Sequence, residues 1–303
     1  MLAGARVLAY DVGGSHISAA LCSESDLSLG PVVKAALPEA HSAQAFLDVL
    51  THLATQAGAN SSTKGAGFAM PGPFDYAEGV SWMKHKMPYL YGVSLRQALA
   101  ERMHWNPAQV QFLNDAAAYL QGEVGAGAAR GVARVVGITL GTGIGSGYAV
   151  NGRLVTSGTG VPPGGEIWNV PFEGGIVEDL ISTRSIKERY LERTGKERDV
   201  AEIAAAALSD RAAVEIFEDF GRDLGRALRI LLRDFAPDVV VLGGGIARSS
   251  QLFLPGAQRE LGSTALELRI AQLGDQAPLV GAAVAWFAHA AASNVKSQVS
   301  PST

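Results

Sequence analysis

The sequence predicts an α/β protein built from two related halves. Residues 7–15 (VLAYDVGGS) and 135–143 (VVGITLGTG) share one pattern: an apolar strand, a polar residue, and a tight turn of Gly, Ser or Thr. Aligning Asp11 with Thr139 brings both turns into register, and a second apolar strand follows each. Strand patterns alternate with helical patterns along the remaining chain, which is typical of α/β folds. We therefore expect a duplicated domain with a cleft between its halves.

The two turns predict phosphate binding. They read Gly13-Gly14-Ser15 and Gly141-Thr142-Gly143. Because glycine has no Cβ, backbone N–H groups in such turns can approach an anion closely. Two turns facing each other across a cleft would hold the phosphate tail of a nucleotide, so the repeat predicts a phosphoryl-transfer enzyme.

The first half has strands and helices in alternation. Phe46, Leu50 and Leu53 recur at helical spacing, and Pro71-Gly72-Pro73 ends a strand in a rigid turn. The predicted elements are strands at 5–12, 16–23 and 31–36, the helix around Phe46, a strand at 65–69, an aromatic and basic loop at 82–91, a helix at 94–103, a strand at 109–113 and a helix at 116–127.

The second half begins at residue 133 with the repeated hairpin. Its predicted elements are the Gly/Pro-rich loop 157–165, a short strand, helices from 176 onward, a long helix at 211–235, a strand at 239–242, a last helix at 277–293 and a polar, disordered tail at 293–303. The predicted domains are 1–113 and 114–280, with the C-terminal helix (281–293) packing back on the first.

Composition excludes several classes of protein. The formal net charge of −4 argues against a nucleic-acid surface, because phosphate backbones select basic faces. The single cysteine, Cys22, rules out an internal disulfide and a multi-cysteine zinc site. No apolar run approaches the ~20 residues of a membrane span, and no signal peptide precedes the first strand. We expect a cytoplasmic protein with no nucleic-acid or membrane partner.

Two aspartates end predicted strands. Asp11 faces the first glycine turn, where a carboxylate can hold Mg²⁺ directly or through water; the alternative is an Asp that caps its own turn. Asp115 follows the strand at 109–113, at the edge where open α/β sheets place ligands. It can accept the proton of a substrate hydroxyl, or simply cap the helix behind it.

Other polar or glycine-rich positions are less specific. Glu166 and Glu178 flank a glycine-containing loop and can bind sugar hydroxyls, or be solvated loop charges. Gly243-Gly244-Gly245 suits a purine better than a dinucleotide, because no acidic residue is clearly placed at the end of a following strand. The six histidines show no metal-binding spacing.

An ordered set of motifs resembles the ROK family of sugar kinases, within the actin-like, ribonuclease H-like ATPase superfamily. The motifs run in family order over most of the chain. They are Asp11-Val12-Gly13-Gly14-Ser15, Met70-Pro71-Gly72-Pro73, Leu113-Asn114-Asp115-Ala116, Thr139 to Gly145, Gly164-Gly165-Glu166-Ile167, Val241 to Ile246, and Leu279 to Ala283.

This resemblance implies ATP- and Mg²⁺-dependent phosphorylation of a hexose, usually at the 6-hydroxyl, by an enzyme of the glucokinase type. Asp115 would be the general base and Asp11 the Mg²⁺ ligand. The implied sugar site is Gly72, Asn114, Asp115, Glu166, Asn169 and Glu178. The implied nucleotide site is Asp11, Gly13, Gly14, Ser15, Thr142, Gly143 and Gly244. The oligomeric state stays open, with a homodimer as one option.

Three positions depart from the family pattern. Asn169 replaces a histidine that serves many members as sugar contact and zinc ligand. The cysteine-rich zinc loop is replaced by the short segment 171–175, which predicts an enzyme without zinc. Lys86-Met87 replaces an Asn-Leu pair that touches the sugar, so Lys86 either faces an anionic ligand or belongs to a solvated basic loop.

Alternative functions remain within and beyond the kinases. Fructokinase and N-acetylhexosamine kinase (N-acetylglucosamine or N-acetylmannosamine) are the enzyme alternatives. A sugar-sensing regulator would carry a helix-turn-helix ahead of the first phosphate motif, which here begins at residue 7. A binding module without catalysis is disfavoured because both Asp11 and Asp115 are present.

Overall fold

A computed structural model describes residues 4–262 and 266–299, which form two compact units. The first unit comprises Met1–Ala126 and Gln276–Thr303, and the second comprises Gly127–Asp275. The mixed α/β class and the duplication are both confirmed, because each unit contains a five-stranded sheet.

The first sheet has the strand order β3-β2-β1-β4-β7. β2 runs antiparallel to β1 and β3, whereas β4 is parallel to β1 and β7. The elements up to the end of α3 are β1 (Arg6–Val12), β2 (His16–Ser23), β3 (Val33–Ala36), α1 (Ala43–Gln56), β4 (Thr63–Met70), β5 (Phe74–Asp75), β6 (Val80–Ser81), α2 (Leu95–Met103), β7 (Val110–Asn114) and α3 (Asp115–Ala126).

Local chemistry explains why these elements form. β1 and β2 are almost continuously buried, as expected for strands covered on both faces. α1 begins at Ser42, whose side chain accepts a hydrogen bond from the Ala45 N–H, and it buries Phe46, Leu50 and Leu53. Cys22 is buried in β2, and burial raises the pKa of its thiol to about 12, so it behaves as a small apolar residue.

The second sheet has the strand order β10-β9-β8-β13-β14, with the same pattern of directions as the first. Its elements are β8 (Arg134–Leu140), β9 (Ile144–Val150), β10 (Arg153–Val155), β11 (Pro171–Phe172), β12 (Gly175–Ile176), α4 (Val177–Leu180), α5 (Thr183–Thr194), α6 (Val200–Ala206), α7 (Arg211–Leu231), β13 (Val239–Gly243), α8 (Ser250–Leu261) and β14 (Glu267–Ile270).

The C-terminal helix α9 (Ala277–Val299) belongs to the first unit. It packs on α3 so closely that a Cβ on Gly122 or Gly281 would overlap backbone atoms of the facing helix. α3 therefore belongs to the first unit as well, and the boundaries expected at 113/114 and 280/281 move to 126/127 and 275/276.

The helix α9 also runs further than expected. Disorder is expected from residue 293 onward, but the helix continues through the polar segment 293–299. This segment contains no Pro or Gly that would interrupt a helix; the next proline is Pro301. Residues 300–303 of the expected tail lie outside the described part of the chain.

The two hairpins differ by one residue. Asp11 pairs with Ser18, whereas Thr139 pairs with Gly145, so the second turn is one residue shorter than the first. The alignment of Asp11 with Thr139 therefore holds as far as the turn, and the strands after the turns are offset by one residue. Both units nevertheless place a glycine-rich turn after the central strand.

The sequence patterns do not predict two elements of the second unit, α8 and β14. α8 contains Pro255, a residue that normally signals a break, and Gly256 beside it packs against the backbone of α7. β14 is a short strand with charged residues at Glu267 and Arg269. No helix within 4–262 and 266–299 combines the length and apolar character needed to cross a membrane.

Candidate active site

The first glycine-rich turn, residues 13–16, joins β1 to β2. The Gly13 N–H donates to the His16 carbonyl at 2.9 Å, which closes the turn. Gly14 and Ser15 are exposed, and a Cβ added at Gly14 would meet no atom within 4 Å. The φ of Gly14 lies outside the left-handed region, so glycine contributes open space here and not a special conformation.

Asp11 lies beside this turn, near the end of the central strand. It is half-buried and pairs with Ser18 of β2 on one side and Ala69 of β4 on the other. β1 therefore holds the backbone of Asp11 close to the exposed turn, where the resemblance implies a Mg²⁺ ligand.

Asn114 and Asp115 mark the junction of β7 and α3. The Asn114 side-chain oxygen accepts hydrogen bonds from the Ala116 and Ala117 N–H groups at 2.9 and 3.1 Å. Asn114 is thus the N-cap, and the Asp115 Oδ1 also accepts from the Ala116 N–H at 2.9 Å, so Asp115 takes part of the capping role that the sequence allowed for it. Asp115 is the first residue of α3, half-buried, where the positive end of the helix favours a negative charge.

Tyr76 connects Asn114 to the Pro71-Gly72-Pro73 turn, and sequence reasoning missed it. Its hydroxyl donates to the Met70 carbonyl at 3.1 Å and accepts from Asn114 Nδ2 at 3.3 Å. A Cβ on Gly72 would lie 3.5 Å from the same hydroxyl. Gly72, Asn114 and Asp115 therefore lie together in the first unit, as their neighbouring strands β4 and β7 predict.

Arg96 of α2 binds the backbone around Tyr76 and the start of β7. Its guanidinium donates to the carbonyls of Val110 at 2.5 Å, Ala77 at 2.9 Å and Tyr76 at 3.2 Å. Burial lowers the pKa of Arg96. The position of Tyr76 is thus fixed by contacts at both its backbone and its hydroxyl.

For the sugar site that the resemblance implies at Gly72 and Asn114, replacing Tyr76 with phenylalanine should weaken binding of the sugar. The change removes hydrogen bonds to Met70 and Asn114, and loss of one such bond is worth about 1 kcal/mol, or about fivefold in KM for the sugar. Steady-state kinetics would measure this, with Tyr190→Phe as the control because its hydroxyl bonds Asp210 in the other unit at 2.8 Å. An unchanged sugar KM in Tyr76→Phe would show that Tyr76 does not position Asn114.

The second glycine-rich turn, residues 141–143, joins β8 to β9. The Gly141 N–H donates to the Gly143 carbonyl at 3.1 Å, and the Gly141 carbonyl accepts from the Thr183 N–H at the start of α5 at 2.8 Å. Thr142 at the tip is exposed. The turn is therefore anchored at its base and open at its tip.

Glu178 lies against this second turn. Its Oε2 accepts from the Ile144 N–H at 3.0 Å, and a Cβ on Gly143 would lie 2.5 Å from the same oxygen. A side chain at position 143 would therefore displace the carboxylate. Glu178 braces the second glycine-rich turn in addition to the sugar-binding role that the resemblance implies.

Gly244 follows β13 and packs against Leu140, the last residue of β8 before the second turn. Gly243 pairs with Thr139, and a Cβ on Gly244 would overlap the backbone of Leu140. Its φ of +83° also lies in the left-handed region. Close backbone packing thus explains why this position is a glycine. The nucleotide contact that the resemblance implies would be a second reason.

Ser146 holds the loop that carries Glu166, and the sequence patterns did not indicate it. The buried Ser146 hydroxyl donates to the Gly165 carbonyl at 2.6 Å and accepts from the Ile167 N–H at 3.0 Å. Glu166 lies between these two anchors, and its Oε2 accepts from Trp168 Nε1 at 2.9 Å. Asn169 follows on the same loop and is exposed.

Two further expectations concern metals and Lys86. No group of three or more His, Cys, Asp or Glu side chains within the described ranges, 4–262 and 266–299, is arranged to hold a metal ion. Lys86 is exposed in the loop after β6, together with Lys84 and His85. An enzyme without zinc and an anionic ligand for Lys86 stay predictions.

The fold and these motifs define a protein of the actin-like ATPase class that contains the sugar kinases. Within that class the chain belongs to the ROK family, whose family model matches residues 7–289.

Known proteins similar to this chain include several sugar kinases, and also the crystal structure of a ROK family transcriptional regulator, with a TM-score of 0.78 and 21% identity. The chain is 28% identical over 281 residues to a glucokinase from Thermotoga maritima, covering 84% of this chain and 86% of that protein. It is 25% identical over 299 residues to an N-acetylgalactosamine kinase from Shewanella sp. (strain ANA-3), covering 90% and 94%. The crystal structure of a ROK hexokinase from Thermus thermophilus matches with a TM-score of 0.81 and 27% identity, covering 95% and 99%. These relatives support sugar kinase activity.

Proposed function

We propose that this protein transfers the γ-phosphoryl group of ATP to a hexose, with glucose and its 6-hydroxyl as the favoured acceptor. The observation that carries the proposal is the arrangement of Asp115 at the start of α3, beside the Asn114 cap that Tyr76 links to the Gly72 turn. The similarity to a glucokinase over most of both chains supports glucose as the acceptor.

Asp115 acts as the general base in this proposal. It takes the proton of the sugar hydroxyl as that oxygen bonds to the γ-phosphorus and the bond to the ADP oxygen breaks. Gly72, Asn114, Glu166, Asn169 and Glu178 bind and orient the sugar. The N–H groups of the two glycine-rich turns, with Ser15, Thr142 and Gly244, bind the nucleotide.

Mg²⁺ fits the residues around the first turn. Mg²⁺ prefers oxygen ligands and is usually held by one or two carboxylates together with substrate phosphates and water. Asp11 supplies a carboxylate at the end of β1, beside the open turn 13–16. When bound, the ion neutralises charge on the phosphates; Asp11 would hold it directly or through water.

Metal dependence is a direct test of this assignment. Removal of Mg²⁺ should abolish turnover, whereas a chelator selective for zinc, used with Mg²⁺ in excess, should leave it intact. A coupled assay of ADP release would measure both. Loss of activity on zinc depletion, restored by added zinc, would contradict a zinc-free enzyme.

The acceptor is tested by a substrate panel with purified protein, ATP and Mg²⁺. We expect the highest kcat/KM for glucose among glucose, fructose, N-acetylglucosamine, N-acetylmannosamine and N-acetylgalactosamine. An N-acetylhexosamine is the second candidate, because the N-acetylgalactosamine kinase is similar over nearly the whole chain. Sugar binding by calorimetry without ADP release would overturn the kinase proposal.

A further inference from the structure

A small hairpin joins the two parts of the proposed sugar site in the second unit. β11 and β12 pair through Pro171 with Ile176 and Phe172 with Gly175. At its base, the Val177 N–H donates to the Val170 carbonyl at 3.0 Å and the Glu178 N–H donates to the Trp168 carbonyl at 3.1 Å. The hairpin thus carries Asn169 before it and Glu178 after it.

The tip of the hairpin is held by an ion pair to α7. Glu173 has a φ of 47°, in the left-handed region that is unfavourable for residues other than glycine. Its carboxylate pairs with Arg226 through two contacts, Oε1 to Nε at 2.9 Å and Oε2 to Nη2 at 3.0 Å. Only the Nη2 contact has the geometry of a hydrogen bond, so the pair is a salt bridge with one hydrogen bond, and that bond still ties the hairpin tip to one side of the guanidinium.

Arg226 is itself held in place by a second carboxylate. Asp223 accepts from Arg226 Nη2 at 2.6 Å and from Arg189 Nη2 at 2.6 Å. The Asp223 side chain is 10% exposed, against 40% for Glu173, so the inner pair is much less screened by solvent. α5 and α7 therefore present a preoriented guanidinium to the hairpin tip.

We propose that Arg226 is a positioning residue for the sugar site: through Glu173 it fixes the β11–β12 hairpin and with it the backbone of Asn169 and Glu178. This inference rests on the proposed function. The hairpin is tied at its base by two backbone bonds and at its tip by the ion pair, so loss of the pair frees one end only. The sugar should then bind more weakly, while the turn at 141–143 keeps its own backbone hydrogen bonds and the bond from the Ile144 N–H to Glu178.

The test compares Glu173→Gln, Arg226→Gln and the double variant, with Glu215→Gln as control. Glu215 forms exposed ion pairs with Arg193 and Arg211 in the same unit, away from the hairpin. We expect either single change to raise KM for the neutral sugar about two- to fivefold, the range for partly exposed pairs. The KM for ATP and kcat should stay close to those of the wild type, and the double variant should match the single ones.

Ionic strength provides a second readout. Between about 0.05 and 0.5 M NaCl, screening should raise the sugar KM of the wild type but not that of Glu173→Gln. A neutral sugar has no ionic interaction of its own, so this dependence reports on the protein. Glu173→Gln leaves the Asp223 pairs intact, and a melting temperature equal to that of the wild type would show that it folds normally.

An unchanged sugar KM in Glu173→Gln, or an equal rise in Glu215→Gln, would overturn the positioning role while leaving the kinase intact. If the wild type binds the sugar without turnover, the same comparison is made on Kd by calorimetry. A wild type that neither binds nor phosphorylates any hexose contradicts the proposed function itself, and the positioning role with it.

Discussion

Replacing Asp115 with asparagine is expected to lower kcat by about 10²- to 10⁴-fold, the usual contribution of a general base. Asparagine has nearly the same shape but cannot accept the proton of the sugar hydroxyl. Because Asn114 caps α3, the helix should still begin at residue 115 in the variant. The sugar KM should therefore change only modestly.

The control for this experiment is Asp48→Asn, which removes a surface carboxylate paired with Arg102 on the same unit. Its kcat should equal that of the wild type. ADP release at saturating sugar and ATP would be measured for both variants. Near-normal turnover in Asp115→Asn would remove Asp115 from the role of base, whatever its effect on KM.

The proposed base was found in the sequence because its signal is local. An apolar strand followed at once by Asn-Asp and a helical pattern places both side chains at the end of β7. The same local signal allows Asp115 to be the base or the cap of α3, because Asp and Asn are equally good caps. The structure shows that Asn114 accepts the N–H groups of Ala116 and Ala117, and that Asp115 Oδ1 also accepts from Ala116.

The residues that support the site could not be found in this way. Tyr76 bonds Asn114, 38 positions away, and Ser146 bonds Ile167, 21 positions away. Glu173 and Arg226 are 53 positions apart. Tyrosine, serine and a loop glutamate are common on any chain, and their roles exist only once strands and helices bring distant segments together.

The fold shows the same division between local and distant signals. The two hairpins were recognised because each is contained within a short stretch of chain. The domain boundary was misplaced because the packing of α3 on α9 depends on Gly122 and Gly281, which are far apart in sequence. The second sheet matches the five strands of the first only because β14 forms its edge strand, and the sequence patterns do not predict β14.

Replacing Gly244 with alanine should have the largest effect on stability among the changes considered. A Cβ at this position would lie 2.8 Å from the Leu140 nitrogen and 2.9 Å from its carbonyl carbon. The left-handed φ adds about 1–2 kcal/mol of strain for a non-glycine residue. Overpacking against rigid backbone adds about 1–3 kcal/mol. The free energy of unfolding should therefore fall by about 2–5 kcal/mol.

Gly245 provides a matched control at the next position. Its φ of −60° is helical, and a Cβ there would meet nothing within 4 Å, so Gly245→Ala should keep the stability of the wild type. Urea unfolding of both variants would measure the difference. Leu140 ends β8 directly before the second turn, so Gly244→Ala should also raise the KM for ATP more than the KM for the sugar. Equal stability of the two variants would show that the backbone after β13 can move to accept a Cβ at position 244. Close packing would then not explain why this residue is a glycine.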